Sequence, residues 1–390
     1  MKLIVIGLGQ CGGRIADEFA RLNRRAHANR GLSIITGAYA VNTDIADLSG
    51  LITINPNTER ILIGGKKTQG HGVGKINELG AEIAHEDADK IIDIIRRTEG
   101  FAETDAFLLI ASAGGGTGSG TISVFSQYIK ERYIDKPVYN LIILPFEHEV
   151  QTEDRTVYNV ATCLKSAYLV ADAIFLIDNQ RYVMKDSPLT QNLAHINQSI
   201  VNPFFNLLCA GEEKKPQYIG AKILDAGDII QTLVGWTALG YGQSETKGGF
   251  NPFGSSKDFR DKASETRRGS YALDQALSSL SVKCNPLDCK RALYLISAPA
   301  KEISVDIIKE LGGYIKNIAP EAIIRSGDYP RDKGAVDVTL ILSELNDMEK
   351  VRGYFSRTIN LISEIKRRQE GSVNTQRSID ISINDIPSLL

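Results

Sequence analysis

The stretch Ala113-Gly114-Gly115-Gly116-Thr117-Gly118-Ser119-Gly120 follows an apolar run, 106–111, and precedes a helical pattern from about 121 to 132. Five glycines around a threonine and a serine present approachable backbone amides and two hydroxyls, at a helix start where the local potential is positive. A plain turn does not need so many interior glycines, because each loses more chain entropy on folding than any other residue. The loop has no lysine, so it is an anion cradle of a different kind from the Walker A loop. A second glycine loop, Gly7-Leu8-Gly9-Gln10-Cys11-Gly12-Gly13, joins a strand-like run over 3–6 to a helical pattern over 14–22. It nearly fits the dinucleotide fingerprint G-x-G-x-x-G, and taken alone it also suits a tight strand-to-helix turn. Two such loops predict an open α/β sheet that binds a nucleoside phosphate.

Outward from these loops, further buried strands are predicted over 37–41, 138–144 and 173–177, alternating with helices as a parallel sheet requires. After about residue 185 the pattern changes. A long helix is predicted over 194–210, with Pro203 bending or breaking it. Residues 248–256 have the composition of a mobile loop. Strands over 291–297 and 336–342, with helices over 305–318 and 348–364, form a second, smaller α/β domain, and 369–378 is polar and expected to be disordered. The expected organisation is a nucleotide-binding domain over 1–185, a central helix and connection over 186–222, a C-terminal α/β domain over 223–368, and a flexible tail over 369–390.

Composition narrows the class. The 390 residues are 43% apolar and 24% charged, with a formal net charge of -2, so no global basic field points to nucleic acid. Cys11, Cys163, Cys209, Cys284 and Cys289 are odd in number and scattered, as in a reduced cytoplasmic protein. No window approaches the ~20 apolar residues of a membrane span, and the apolar start is too short for a signal peptide. The histidines form no metal-binding spacing.

The motif Gly114 to Gly120 resembles the signature loop of the tubulin/FtsZ superfamily. Gly9-Gln10-Cys11-Gly12 is similar to the tubulin form of the first loop, and Asn42-Thr43-Asp44 to the second nucleotide loop of FtsZ. Gly70-His71-Gly72-Val73-Gly74, followed by Asn77-Glu78-Leu79-Gly80, is similar to the loop near the γ-phosphate and looks most like the archaeal CetZ group. The likeness runs from Lys2 to about Glu364 with the motifs in order. It implies a Rossmann-like GTPase domain, a long central helix and a second α/β domain.

It also implies roles. Gly9, Gln10, Cys11, Gly12, Asn42, Thr43, Gly72, Gly74, Gly114, Gly115, Gly116, Thr117, Gly118 and Ser119 would cradle the phosphates of GTP or GDP, with Mg2+ held by phosphates and water and no protein metal ligand. Leu144-Pro145-Phe146 points to Glu149 as the ribose contact, with Arg155 a nearby basic residue at a spacing off the family's. Asn179 and Asn197 would read guanine. Leu193 stands where the family has an aromatic that stacks on the base, so apolar contact replaces stacking. Asn179 also suits a helix N-cap, and Asn197 a polar core position. Leu224-Asp225-Ala226-Gly227-Asp228 is similar to the FtsZ synergy loop, with Ile223 where that loop has asparagine. The resemblance makes Asp225 and Asp228 catalytic toward the nucleotide of the next subunit, although Asp228 also suits the cap of a helix over 229–239. Ile383-Asn384-Asp385-Ile386-Pro387-Ser388-Leu389-Leu390 resembles the FtsZ tail that binds adaptors, and as an apolar cluster it also suits packing on the C-terminal domain of its own chain.

The reading is a cytoplasmic GTPase that assembles head-to-tail with itself and serves cell shape or division. It carries a tail for an adaptor partner, and it neither binds nucleic acid nor inserts in the membrane. Two alternatives stand beside it: a NAD-type oxidoreductase, and a GTP-binding scaffold with negligible hydrolysis. The first needs an acid at the end of the second strand, where Asp44 comes late. The second is suggested by Ile223.

Overall fold

The computed structural model describes residues 1–184, 187–245, 259–332, 334–369 and 387–390. Strand β1 (Leu3–Leu8) is buried along its whole length. Ile4, Ile6 and Leu8 enter one core, Leu3 and Val5 the other, as in a parallel strand covered on both faces. Around it lie β2 (Ile35–Asn42), β3 (Arg60–Leu62), β4 (Ala106–Ser112), β5 (Val138–Leu144) and β6 (Ala173–Asp178), all parallel. The remaining strands are β7 (Gly235–Glu245), β8 (Arg291–Ala298), β9 (Ile323–Pro330) and β10 (Ala335–Leu345). β7 pairs in parallel with β6 and antiparallel with β10, which makes one ten-stranded sheet in the order β3-β2-β1-β4-β5-β6-β7-β10-β8-β9. The chain leaves β1 toward β2 on one side and continues at β4 on the other. The β1/β4 boundary is therefore the switch point at which open α/β sheets bind ligands.

Both glycine loops sit at that boundary, and their helices start inside them. One helix is Gly9–Arg30, and the other is Thr117–Arg132, which begins before the position that the sequence pattern marks. The reason is space. A Cβ on Gly12 would stand 2.1 Å from the Ile110 carbonyl oxygen, so only glycine lets the first helix lie against β4.

The central helix spans Leu189–Ala210 and runs through Pro203 without interruption. An interior proline costs ~3 kcal/mol. Burial of Ile196, Ile200, Val201, Phe204, Leu207 and Leu208 on one core offsets it. The helix expected over 229–239 is overturned: a short helix, Ala226–Thr232, ends and β7 follows. Its cap is Asp225, whose carboxylate accepts from the Asp228 amide at 2.9 Å, and Asp228 is not the cap. The strand forms because the helix Phe259–Ser278 lies directly on it. A Cβ at Gly240 would meet the Ala276 carbonyl oxygen at 2.2 Å, a contact that local sequence cannot announce. The loop expected over 248–256 and the polar stretch 370–378 lie outside the described residues.

The chain end also packs inward. Leu389 is 7% exposed and belongs to a core cluster, and its amide donates to Ser166 Oγ at 2.8 Å on the helix Asp154–Val170. Within the described part of the expected docking peptide, Leu389 is therefore held by its own chain, while Pro387, Ser388 and Leu390 are exposed. Leu389→Ala should lower stability by about 1–2 kcal/mol, less than a fully central leucine because the site is terminal. Removing residues 379–390 should depress the Tm at least as much. A melting scan in which both variants match the parent would contradict this docking.

Candidate functional site

The C-terminal ends of β1, β2, β4, β5 and β6 surround an open cavity of about 460 Å³. The two glycine loops form its floor. Gly9 has φ +69°, and a Cβ there would stand 3.0 Å from the Gly118 amide nitrogen, so the loops touch backbone to backbone. In the helix Thr117–Arg132 the first backbone bond runs from the Gly120 amide to the Gly116 carbonyl, at 3.0 Å. The amides of Thr117, Gly118 and Ser119 come before it, and first-turn amides lack intrahelical acceptors. Together with the positive helix end they suit an anion.

Most of the expected residues line this cavity: Gly9, Gln10 and Cys11; Asn42 and Gly72; Gly114, Gly115, Gly116, Thr117 and Gly118; and Glu149, Asn179, Leu193 and Asn197. Four do not. Gly12 is a packing glycine against Ile110. Thr43 is buried, and its hydroxyl meets that of Thr117 at 2.7 Å, joining the second loop to the fourth strand's loop. Ser119 is buried and its hydroxyl donates to the Gly115 carbonyl, so the side chain holds the loop's shape and the backbone amide is what remains for a ligand. Gly74 is exposed, beyond the lining, and so is His71. Arg155 is also outside. It is clamped on Glu78, bonds Asn77 Oδ1 at 3.1 Å, and lies over the Tyr158 ring.

Arg14, Lys75, Asp47, Ser112 and His148 also line the cavity and escaped the sequence reading. Arg14 follows Gln10 by one helical turn, a spacing that puts both on one face. Asp47 accepts from Gln10 Nε2 at 2.6 Å and from Asn42 Nδ2 at 3.1 Å, which locks the first loop to the second. Asp44 caps the helix Ile45–Ser49, accepting from the Ala46 and Asp47 amides. Burial pushes the Cys11 thiol up to about 12, which disfavours its thiolate at neutral pH.

At the other end of the cavity, Glu149 sits on the helix Glu147–Thr152, with one carboxylate oxygen accepting from the Phe146 amide at 2.8 Å. Asn179 follows β6. The cap of its turn is Asp178, which accepts from the Gln180 amide at 3.2 Å, so the capping role weighed for Asn179 falls to its neighbour. Among the described residues no protein hydrogen bond engages the Asn179 or Asn197 side chain. Their amides can pair with a polar ring edge, while half-buried Leu193 supplies apolar surface.

Asp225 and Asp228 are not at this cavity. Leu193 and Asn197 lie near one end of the central helix; just past its other end, a Cβ on Gly211 would stand 2.8 Å from the Leu224 carbonyl oxygen. At 1.5 Å per residue the helix separates the two groups by roughly 20 Å. Asp225 is exposed, and Asp228 pairs with Arg325 at 3.5 Å, beside a half-exposed Ile223. Among the described residues no group of three or more His, Cys, Asp or Glu is placed to hold a metal ion.

The family model described as Tubulin/FtsZ family, GTPase domain, matches residues 2–184, and that described as Tubulin-like CetZ, C-terminal domain, matches residues 186–360. Tubulin-like protein CetZ1 of Haloferax volcanii is 32% identical over 400 aligned positions, covering 97% of this chain and 94% of the relative. The solved GDP-bound monomer of CetZ1 from the same organism superposes with a TM-score of 0.79 at 30% identity, over 93% of this chain and 100% of that one. A GTPγS-bound protofilament of CetZ2, also from Haloferax volcanii, superposes with a TM-score of 0.80 at 27% identity, over 94% and 100%.

The glycines differ as probes. A Cβ on Gly116 would stand 2.6 Å from Val73 Cγ2 and one on Gly118 2.8 Å from the Leu8 carbonyl oxygen, so substitution there disturbs packing as well as the floor. A Cβ on Gly115 meets nothing within 4 Å. Gly115→Val should therefore leave the circular dichroism spectrum and Tm near the parent's while weakening nucleoside triphosphate binding at least about tenfold, the loss of one charge-assisted contact. Undiminished affinity in titration calorimetry would remove this loop from the site.

Proposed function

The chain belongs to the tubulin/FtsZ family, in its CetZ group, and from that premise we propose that it binds GTP and hydrolyses it to GDP and phosphate as one subunit of a head-to-tail filament. The observation that carries the reading is the separation of two half-sites by the central helix, with the glycine cavity at one end and the exposed Asp225/Asp228 loop at the other. Each half lacks what the other holds, and stacking subunits end to end joins them.

In this reading the loop amides around Gly115 and Thr117 take the phosphates, Glu149 the ribose, and Asn179 and Asn197 the guanine edge. A site built to pair polar groups penalises the wrong base. Mg2+ would be held by phosphate oxygens and water. The lining acids fit that division, because Asp44 is spent on a helix cap and Asp47 on Gln10 and Asn42. Asp225 and Asp228 of the following subunit orient the attacking water and accept its proton. The organisation into a domain over 1–185, a connection over 186–222 and a second domain over 223–368 belongs to the same reading, as does a cytoplasmic role in cell shape or division. No helix among the described residues is long and apolar enough to cross a membrane. An adaptor that takes the C-terminal tail must first lift Leu389 from Ser166. A NAD-type oxidoreductase loses support because Asp44, its candidate ribose acid, already caps a helix.

The catalytic half is tested with Asp225→Asn and Asp228→Asn. Asparagine keeps the cap at 225, where alanine would cost ~1 kcal/mol of stability. GTP affinity should stay within about twofold while turnover falls by roughly 10²–10⁴, and filaments seen by electron microscopy should last longer. Parent activity per subunit should rise with protein concentration. Full turnover in both variants, or activity independent of concentration, would leave a monomeric GTPase. Filaments with GTP but no measurable turnover in the parent would leave the scaffold that Ile223 suggests.

A further inference from the structure

A second cavity, of about 610 Å³, backs onto the structures that wall the first. Its lining includes Asp178 and Glu147 from the nucleotide side and Lys350 from the helix Glu349–Gln369. The Lys350 ammonium lies 3.0 Å from Asp178 Oδ2 and 3.9 Å from Glu147 Oε1. Asp178 is the last residue of β6 and its side chain is 8% exposed. Its other oxygen closes the turn that presents Asn179, and the Gln180 side chain in that turn accepts from the Glu147 amide at 3.4 Å. Glu147 in turn begins the helix that carries Glu149. One cation from the C-terminal part of the chain thus stands behind both the turn of Asn179 and the helix of Glu149.

A buried carboxylate without its counter-ion is unfavourable, so removing Lys350 takes away the partner that holds the Asp178 side chain and loosens the turn. We infer that Lys350 is a positioning residue. By pairing with Asp178 and Glu147 it holds Asn179 and Glu149 in register for base and ribose, and ties the helix Glu349–Gln369 to nucleotide recognition. The inference rests on the reading of Asn179 as a base contact and Glu149 as a ribose contact. The coupling is reciprocal: whatever tilts that helix alters nucleotide selectivity, and the bound nucleotide biases the helix.

The test compares GDP, ADP and 2′-deoxy-GDP binding to nucleotide-free full-length protein, in the parent, Lys350→Met, Lys350→Arg and Asn179→Ala. Lys350→Met should reduce the preference for GDP over ADP, and over the deoxy analogue, by roughly threefold to tenfold, the worth of one misaligned hydrogen bond. Lys350→Arg should restore most of it. A merely structural lysine would lower the Tm and weaken all three nucleotides alike, with their ratios unchanged, and that result overturns the inference. If Lys350→Met does not fold, the same ratios are read in Asp178→Asn/Lys350→Met, which removes the buried charge with its partner. There too the preference should fall, because the tether to the helix is gone. Asn179→Ala separates the two levels. If it leaves the GDP preference intact, the base-contact reading fails; if it collapses the preference while Lys350→Met does not, only the role of Lys350 fails.

Discussion

The backbone of β1 and its loop meets that of β4 and its loop with no room for side chains between them. A Cβ on Gly7 would stand 2.2 Å from the Gly12 carbonyl oxygen, and one on Gly12 2.1 Å from that of Ile110. This contact lets two helices start within the loops themselves, and it brings Gly9 against Gly118 at the switch point of the sheet. The cavity follows from it: two helix starts converge on one place, and their unpaired first-turn amides face the same opening. Further bonds brace the floor from outside. Asp47 links Gln10 to Asn42, and the Thr43 and Thr117 hydroxyls join second loop to fourth strand's loop. A residue larger than glycine at Gly12 would separate the helix from β4 and open the floor as a whole.

The second constraint is length. The central helix Leu189–Ala210 contributes Leu193 and Asn197 to the cavity and ends where Gly211 touches the acid loop. It is packed along one face into a core cluster, so buried apolar contacts run along its length from the cavity to the acid loop. The sheet is likewise continuous across the chain: β7 pairs with β6 on one edge and with β10 on the other. The Asp178–Lys350 pair adds a polar link where the C-terminal helix reaches the end of β6. The cavity is therefore connected to the C-terminal part of the molecule along three routes of different stiffness: helix, sheet and ion pair.

Much of the site was legible in the sequence because phosphate-type loops are local. Their glycines, and the strand and helix on either side, lie within a dozen residues, so Gly9, Gln10, Cys11 and Gly114 to Gly118 could be placed in the cavity without coordinates. Residues whose role depends on a particular hydrogen-bond or packing partner were read less well. Ser119 sits in the most specific motif of the chain, yet its hydroxyl bonds the carbonyl of Gly115, and only the helix geometry decides that. Arg155 was placed near the ribose loop, but it pairs with Glu78 across the fold. Asp47 and Lys75 carry no motif of their own and reach the cavity through the packing of separate loops.

By itself the sequence determined the alternation of buried strands and helices, the two glycine loops and the order of the family motifs, because hydrophobic period and turn chemistry are properties of neighbouring residues. The tertiary structure alone decided that residues 235–239, expected at the end of a helix over 229–239, belong instead to the strand Gly235–Glu245, since the helix Phe259–Ser278 lies within contact of Gly240 and Gly242. It alone decided that Pro203 leaves the central helix uninterrupted, since buried apolar side chains offset the missing hydrogen bond. It turned the apolar chain end inward onto Ser166, and it set Asp178 against Lys350. Each of these outcomes rests on a contact between residues remote in sequence, whose energy appears only after the chain has closed on itself.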